Sequence, residues 1–144
     1  MKYFTIKELT KSATAEKYGV ENLATNEIVE NLTKLTDLVL DPLREAWGLP
    51  IKLTCAYRSK EVNSRVGGHP NSHHIYGCAA DIVCLEKDQK RMMDLLIANP
   101  NVDLCQNYPD RNFIHVNIAR PGEKPRRLAM TQLKDKKAVM YVRN

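Results

Sequence analysis

Apolar residues recur at spacings of three and four through residues 25–47, where Ile28, Leu32, Leu35 and Val39 fall on one helical face. Thr36 is a polar interruption beside that stripe. Pro42 is expected to end or kink the helix, with Asp41 biased to an extended conformation before it. Leu43 and Trp47 continue the pattern in a short second helix that Gly48 stops. Upstream, residues 1–20 predict short helical pieces, with Thr5 and Glu8 at capping-box spacing and Ser12 as a further cap. These pieces are expected to cover one edge of the core. Downstream the period changes from four to two. Residues 51–55 alternate apolar and polar as a half-buried strand does. Ser59 caps a short helix holding Val62, Asn63 and Val66, which Gly67 and Gly68 end. Residues 79–85 predict a buried strand beginning about at Asp81, residues 87–99 an amphipathic helix, and residues 102–106 a third strand. A fourth, Phe113–Ile118, sets Phe113, His115 and Asn117 on one face and Ile114, Val116 and Ile118 on the other. Residues 127–133 and 138–142 are candidates for a closing hairpin. No repeat or linker divides the chain, so one domain spanning 1–144 is expected.

Composition narrows this picture without redirecting it. A chain of 144 residues, 43% hydrophobic and 27% charged, can bury its own core. No run of about 18 apolar residues suggests a membrane span. The first eight residues carry neither a signal core nor a cleavage site, so the expected location is cytoplasmic as synthesised, with release to the cell wall by a partner. The net charge is +5, and basic residues crowd the last quarter: Arg111, Arg120, Lys124, Arg126, Arg127, Lys134, Lys136, Lys137 and Arg143. Such a run reads as a solvated face or as attraction for an anionic wall polymer. It lacks the interleaved aromatics of a nucleic-acid platform, and no nucleic-acid partner is expected. None of Cys55, Cys78, Cys84 and Cys105 forms a C-x-x-C pair. Cys55, Cys84 and Cys105 read as small core residues in a reducing compartment, and Cys78 as a neighbour of the chemistry around it.

That chemistry lies in Ser72-His73-His74-Ile75-Tyr76-Gly77-Cys78-Ala79-Ala80-Asp81. Asp81 sits among apolar strand residues, where an unpaired carboxylate is costly. An ion pair with a Lys or Arg would relieve that cost, and so would a divalent metal. His115 occupies the polar face of the fourth strand. Two imidazoles and a carboxylate leave a fourth position open, the donor set of catalytic rather than structural zinc sites, and such sites supply a nucleophile near neutral pH. Arg58, at the end of the first strand, has the planar fork that clamps carboxylates.

Four blocks, in order, resemble the zinc D-Ala-D-Ala carboxypeptidases and related peptidoglycan-cleaving metallopeptidases, including phage endolysins. They are Ala56-Tyr57-Arg58-Ser59; Val62-Asn63 with Val66-Gly67-Gly68; Ser72-x-His74-x-x-Gly77-x-Ala79-x-Asp81; and Phe113-Ile114-His115-Val116. The resemblance covers roughly residues 50–118. It implies an α+β fold with a small, mostly antiparallel central sheet, helices packed on it and a metal site in a cleft at the sheet. By position it implies that His74, Asp81 and His115 bind zinc, leaving His73 as a neighbour. Arg58 then binds the substrate carboxylate or oxyanion, and Ser72 contacts substrate. Gly77 permits a tight backbone approach beside His74. The partner implied is a peptidoglycan or muropeptide substrate acted on by a monomer.

One departure stands out. Relatives carry a glutamate just upstream of the last histidine as general base, whereas no glutamate lies between Glu86 and His115. Tyr108 falls near that position and Asp110 is the nearest carboxylate, so both are candidates for handling protons. The missing glutamate also supports a second reading, a non-catalytic metal-stabilised binding module or phage structural component.

Overall fold

The computed structural model describes residues 1–143. Its centre is a six-stranded sheet in the order β1-β2-β4-β3-β5-β6, formed by Leu53–Cys55, Ala79–Val83, Phe113–Ile118, Val102–Tyr108, Leu128–Thr131 and Val139–Met140 respectively. Every neighbouring pair is antiparallel except β3 with β5. The α+β class with a mostly antiparallel sheet is therefore the fold observed, and the closing hairpin is the β5–β6 pair.

Alternation divides the sheet into two faces. Ala80, Ile82, Cys105, Ile114 and Val116, each at most 1% exposed, point to one side. There they meet Leu32 and Leu35 of α3 (Asn26–Leu35), Leu43 of α4 (Asp41–Trp47), and Met92, Met93 and Leu96 of α6 (Glu86–Ile97) in the main core. The opposite face carries the polar chemistry.

The run from α3 to α4 departs from the expected break. Pro42 does not end it, and Asp41 is helical at φ −64, ψ −48. A π-helical stretch, Thr36–Leu40, joins the two helices without interruption. The physical reason is local. Proline lacks the N–H that a helical Leu38 carbonyl would receive, and its ring crowds that carbonyl. The wider register relieves the crowding, and Asn99 Nδ2 donates to the Leu38 oxygen at 2.8 Å. Thr36 opens the stretch, with its hydroxyl donating back to the Leu32 carbonyl at 2.8 Å. Asp41 stays helical while tying down the N-terminus, accepting from the backbone N–H groups of Lys2 and Tyr3 at 2.6 and 3.1 Å.

The N-terminal pieces are α1 (Ile6–Leu9), capped by Thr5, and α2 (Ala13–Tyr18), capped by Ser12. They cover the core edge as expected, with Leu9 fully buried. Asn22 stitches them to the first strand's exit, donating to the carbonyls of Thr10 and Tyr57 and accepting from Ser59 N–H at 2.6 Å. Ser59 in turn caps α5 (Lys60–Arg65).

Candidate metal centre

Asp81 lies in the middle of β2, two residues further into the strand than the sequence suggests. The antiparallel register places it directly opposite His115 on β4, and His115 opposite Gln106 on β3. Residues paired this way share a face, so one cross-strand row reads Asp81, His115, Gln106. The row on one side holds Ala79, Asn117 and Leu104, and the row on the other Val83, Phe113 and Tyr108.

His74 reaches this row from outside the sheet. It sits in a 3₁₀ turn, His73–Tyr76, capped by Ser72, whose Oγ accepts from His74 N–H at 3.2 Å. Three contacts hold the turn. Arg58 N–H donates to the His74 carbonyl at 3.1 Å, Asn31 Nδ2 donates to the Tyr76 carbonyl at 2.9 Å, and Gly77 closes the turn at φ +73 against α3. A Cβ on Gly77 would lie 3.0 Å from the Ile28 carbonyl oxygen. The tight approach that glycine permits is thus to α3.

His74, Asp81 and His115 each offer one donor atom, all within 4.8 Å of one another. His74 Nε2 lies 3.3 Å and His115 Nδ1 3.0 Å from Asp81 Oδ1. Zinc–ligand bonds of about 2.0–2.2 Å in a tetrahedron imply donor separations of roughly 3.3–3.5 Å, so the His74–Asp81 edge already has that length and the His115–Asp81 edge, at 3.0 Å, is slightly short of it. The other ring nitrogens are engaged elsewhere: His74 Nδ1 donates to the Ala56 carbonyl at 2.6 Å and His115 Nε2 to Asn117 Oδ1 at 2.8 Å. Both imidazoles therefore turn a lone pair toward Asp81, as metal ligation requires. The donor set fits zinc.

Electrostatics agree with the geometry. Burial pushes the Asp81 carboxyl up, but the two imidazoles beside it outweigh that and hold the group below the usual carboxylate range. Burial lowers His74 against the pull of Asp81, keeping its ring neutral and available. Cys55, opposite Asp81 with Sγ 3.8 Å from His74 Nδ1, is pushed up to about 12 by burial and by Asp81, and stays a thiol. His73 is not one of the three donors; its Nε2 lies 3.8 Å from Asp103 Oδ2.

Arg58 and Ser72 adjoin the cluster. Arg58 Nη2 donates to Ser72 Oγ at 3.3 Å, while its buried Nε has no partner. Ser72 Oγ already accepts twice, which leaves its own proton to donate. Tyr108 ends β3 and stacks on Phe113 at 4.1 Å. Its Oη accepts from Gln106 Nε2 at 2.8 Å, and burial, with Asp81 nearby, raises the phenol above its usual range. Asp110 is exposed in the turn Pro109–Arg111, where its Oδ2 accepts from Lys134 N–H at 3.0 Å.

Sequence reasoning passed over Gln106, Asp103 and the tie between Asn117 and His115. Gln106 becomes visible only through register. Asp103 carried a readable signal: the cost that singles out Asp81 applies equally to an acid in the apolar run Val102–Tyr108.

No curated protein matches the chain. Residues 2–117 match the family model described as Peptidase M15, well over half of the sequence and all three donors. Among the described residues no helix is long and apolar enough to cross a membrane. With four motif blocks in order, a His/Asp/His cluster of the right chemistry and this match, the chain belongs to the peptidase M15 family.

Proposed function

We propose that this chain is a zinc peptidase that hydrolyses a peptide bond in peptidoglycan stem peptides, next to a D-amino acid. One observation carries the reading. A three-donor cluster suited to zinc stands beside two groups with unspent donor capacity, the buried Arg58 Nε and the Ser72 hydroxyl. Zinc bound there supplies Lewis acidity and a nucleophile at neutral pH. The chain's own residues bind and orient. Arg58 offers its guanidinium to a substrate carboxylate or developing oxyanion, and Ser72 donates to a peptide carbonyl. Tyr108 holds its proton near neutrality, and because its oxygen already accepts from Gln106, that proton is free to pass to a leaving amine. Asp110 is given no proton-transfer role, since its carboxylate is occupied by Lys134 N–H at an exposed turn. The basic last quarter favours approach to an anionic wall, as a phage or prophage lysin makes.

The test is incubation of zinc-loaded protein with muropeptides of several wall chemistries, followed by mass spectrometry. New free amines from one bond type are expected, and the product identifies carboxypeptidase or endopeptidase action. A second reading, a metal-stabilised binding module, is favoured by one fact: among the described residues Asp81 is the only carboxylate in the cluster. No new amine on any wall chemistry, with zinc bound, selects that reading.

A further inference from the structure

We propose that Asn117, Asp103 and Arg126 form a positioning relay that fixes the ring of His115 with Nδ1 toward the metal, so that a residue beyond the family-matched region sets the metal affinity of a centre to which it gives no ligand. The inference rests on His74, Asp81 and His115 being the metal donors.

The chain of contacts has a single allowed direction. Arg126 donates to Asp103 three ways: backbone N–H to Oδ1 at 2.7 Å, Nη2 to Oδ2 at 2.7 Å, and Nε to both oxygens at 3.1 and 3.2 Å. Asp103, 2% exposed, can only accept once ionised. Its Oδ2 takes a hydrogen bond from Asn117 Nδ2 at 2.7 Å. An amide can present either end to a neighbour, and here the carboxylate decides which. With its nitrogen committed to Asp103, Asn117 must show its oxygen to His115, and Oδ1 lies 2.8 Å from His115 Nε2. An amide oxygen accepts only, so His115 carries a proton on Nε2, and Nδ1, 3.0 Å from Asp81 Oδ1, is the nitrogen left to give its lone pair to a metal. Each link fixes the next, from a half-exposed guanidinium to a metal-facing nitrogen. Asn117 is completely buried, so water cannot substitute for a missing link.

Arg126 lies just before β5, outside the matched residues 2–117. The segment from 118 onward holds eight basic and two acidic residues, a net +6 against −1 for residues 1–117. One of those cations is thus structural to the metal centre. Partners of this kind typically change metal affinity by about 10–100-fold when removed.

The experiment compares the native chain with Asn117→Leu, Arg126→Met, and the exchange Asn117→Asp with Asp103→Asn. Zinc affinity is read by competition with a chromophoric chelator, the His115 tautomer by long-range proton–nitrogen NMR of the zinc-free protein, and fold stability by thermal melting. Asn117→Leu is expected to weaken zinc about 10–100-fold and to turn a single His115 tautomer into a mixture. Arg126→Met, at the solvent end where folding is least at risk, is expected to move both readouts the same way by a smaller factor. The exchange keeps an acceptor on His115 and should retain the Nε2–H tautomer and most of the affinity. Native tautomer and affinity in both Asn117→Leu and Arg126→Met overturn the relay alone. So do affinity losses that merely track melting temperature with the tautomer unmoved. A native chain that binds no zinc overturns the metal reading as well.

Discussion

Two sheet carboxylates, the half-buried Asp81 and the buried Asp103, are ionised for different reasons. Asp81 is held by two imidazoles and Asp103 by a guanidinium and an amide. Burial pushes Asp103 up, and the hydrogen bonds of Arg126 and Asn117 outweigh it, leaving its folded value depressed. A depressed carboxylate contributes stability that is present above its unfolded value of about 3.9 and is lost as pH falls through the folded value. Urea midpoints measured from pH 7 to pH 3 should therefore drop on acidification below about pH 4. Arg126→Met should lower the midpoint at pH 7 and flatten that acid limb, and an equally steep limb in the variant would refute the assignment. The proton-handling residues separate in the same spirit. Tyr108→Phe is expected to lower kcat by about 10²–10⁴-fold with KM and zinc content unchanged. Asp110→Ala should leave kcat alone and cost about 0.5–1.5 kcal/mol of stability, the worth of its bond to Lys134 N–H; steady-state kinetics beside chemical denaturation decide. At this scale the sequence was most legible where a residue type has few uses. His74, Asp81 and His115 announce themselves by chemistry, whereas Gln106 and Asn117 are ordinary strand residues until register sets them beside His115.

The element that delivers His74 is the turn His73–Tyr76, and its position depends on α3 more than on the sheet. Gly77 at φ +73 lets the chain leave the turn directly over Ile28, with Leu32 Cγ only 3.2 Å from where a Cβ would sit. Gly77→Ala pairs a left-handed backbone cost with a backbone contact that cannot yield, together about 1–3 kcal/mol. Because the turn must shift to relieve it, zinc affinity should fall along with the denaturation midpoint. A midpoint loss with unchanged zinc affinity would mean that α3 moves instead. The helices and strands themselves followed from periodicity, since apolar spacings of four and two survive in the fold. The exception is instructive. Pro42 forbids one hydrogen bond, and the chain answers with a π-helical stretch and the Asn99 side chain, a partner 61 residues from Leu38 that no local window contains.

Across the whole molecule the sheet separates stability from chemistry. Its helix-covered face holds the core, and none of His74, Asp81 or His115 belongs to that apolar cluster. Strand order was the least legible feature. β5 pairs parallel with β3 on the side away from β4, after β4 has intervened in the chain, and Arg127 ties this segment down by donating to the carbonyls of Ile97, at the end of α6, and Val102. This division makes a prediction about metal removal. Without zinc the two imidazoles stay anchored by the Ala56 carbonyl and the Asn117 side chain, and the core is untouched. The chelated protein should keep its far-ultraviolet circular dichroism and melt in one cooperative step. Free zinc at about 100 times its Kd should then add about 2.7 kcal/mol, raising Tm by roughly 5–11 °C for a chain of this size. The increment should vanish in His115→Ala. Loss of secondary structure on chelation would instead make the metal a folding element, the behaviour of the binding-module reading, because a catalytic ion placed on the face opposite the core has no apolar packing to organise.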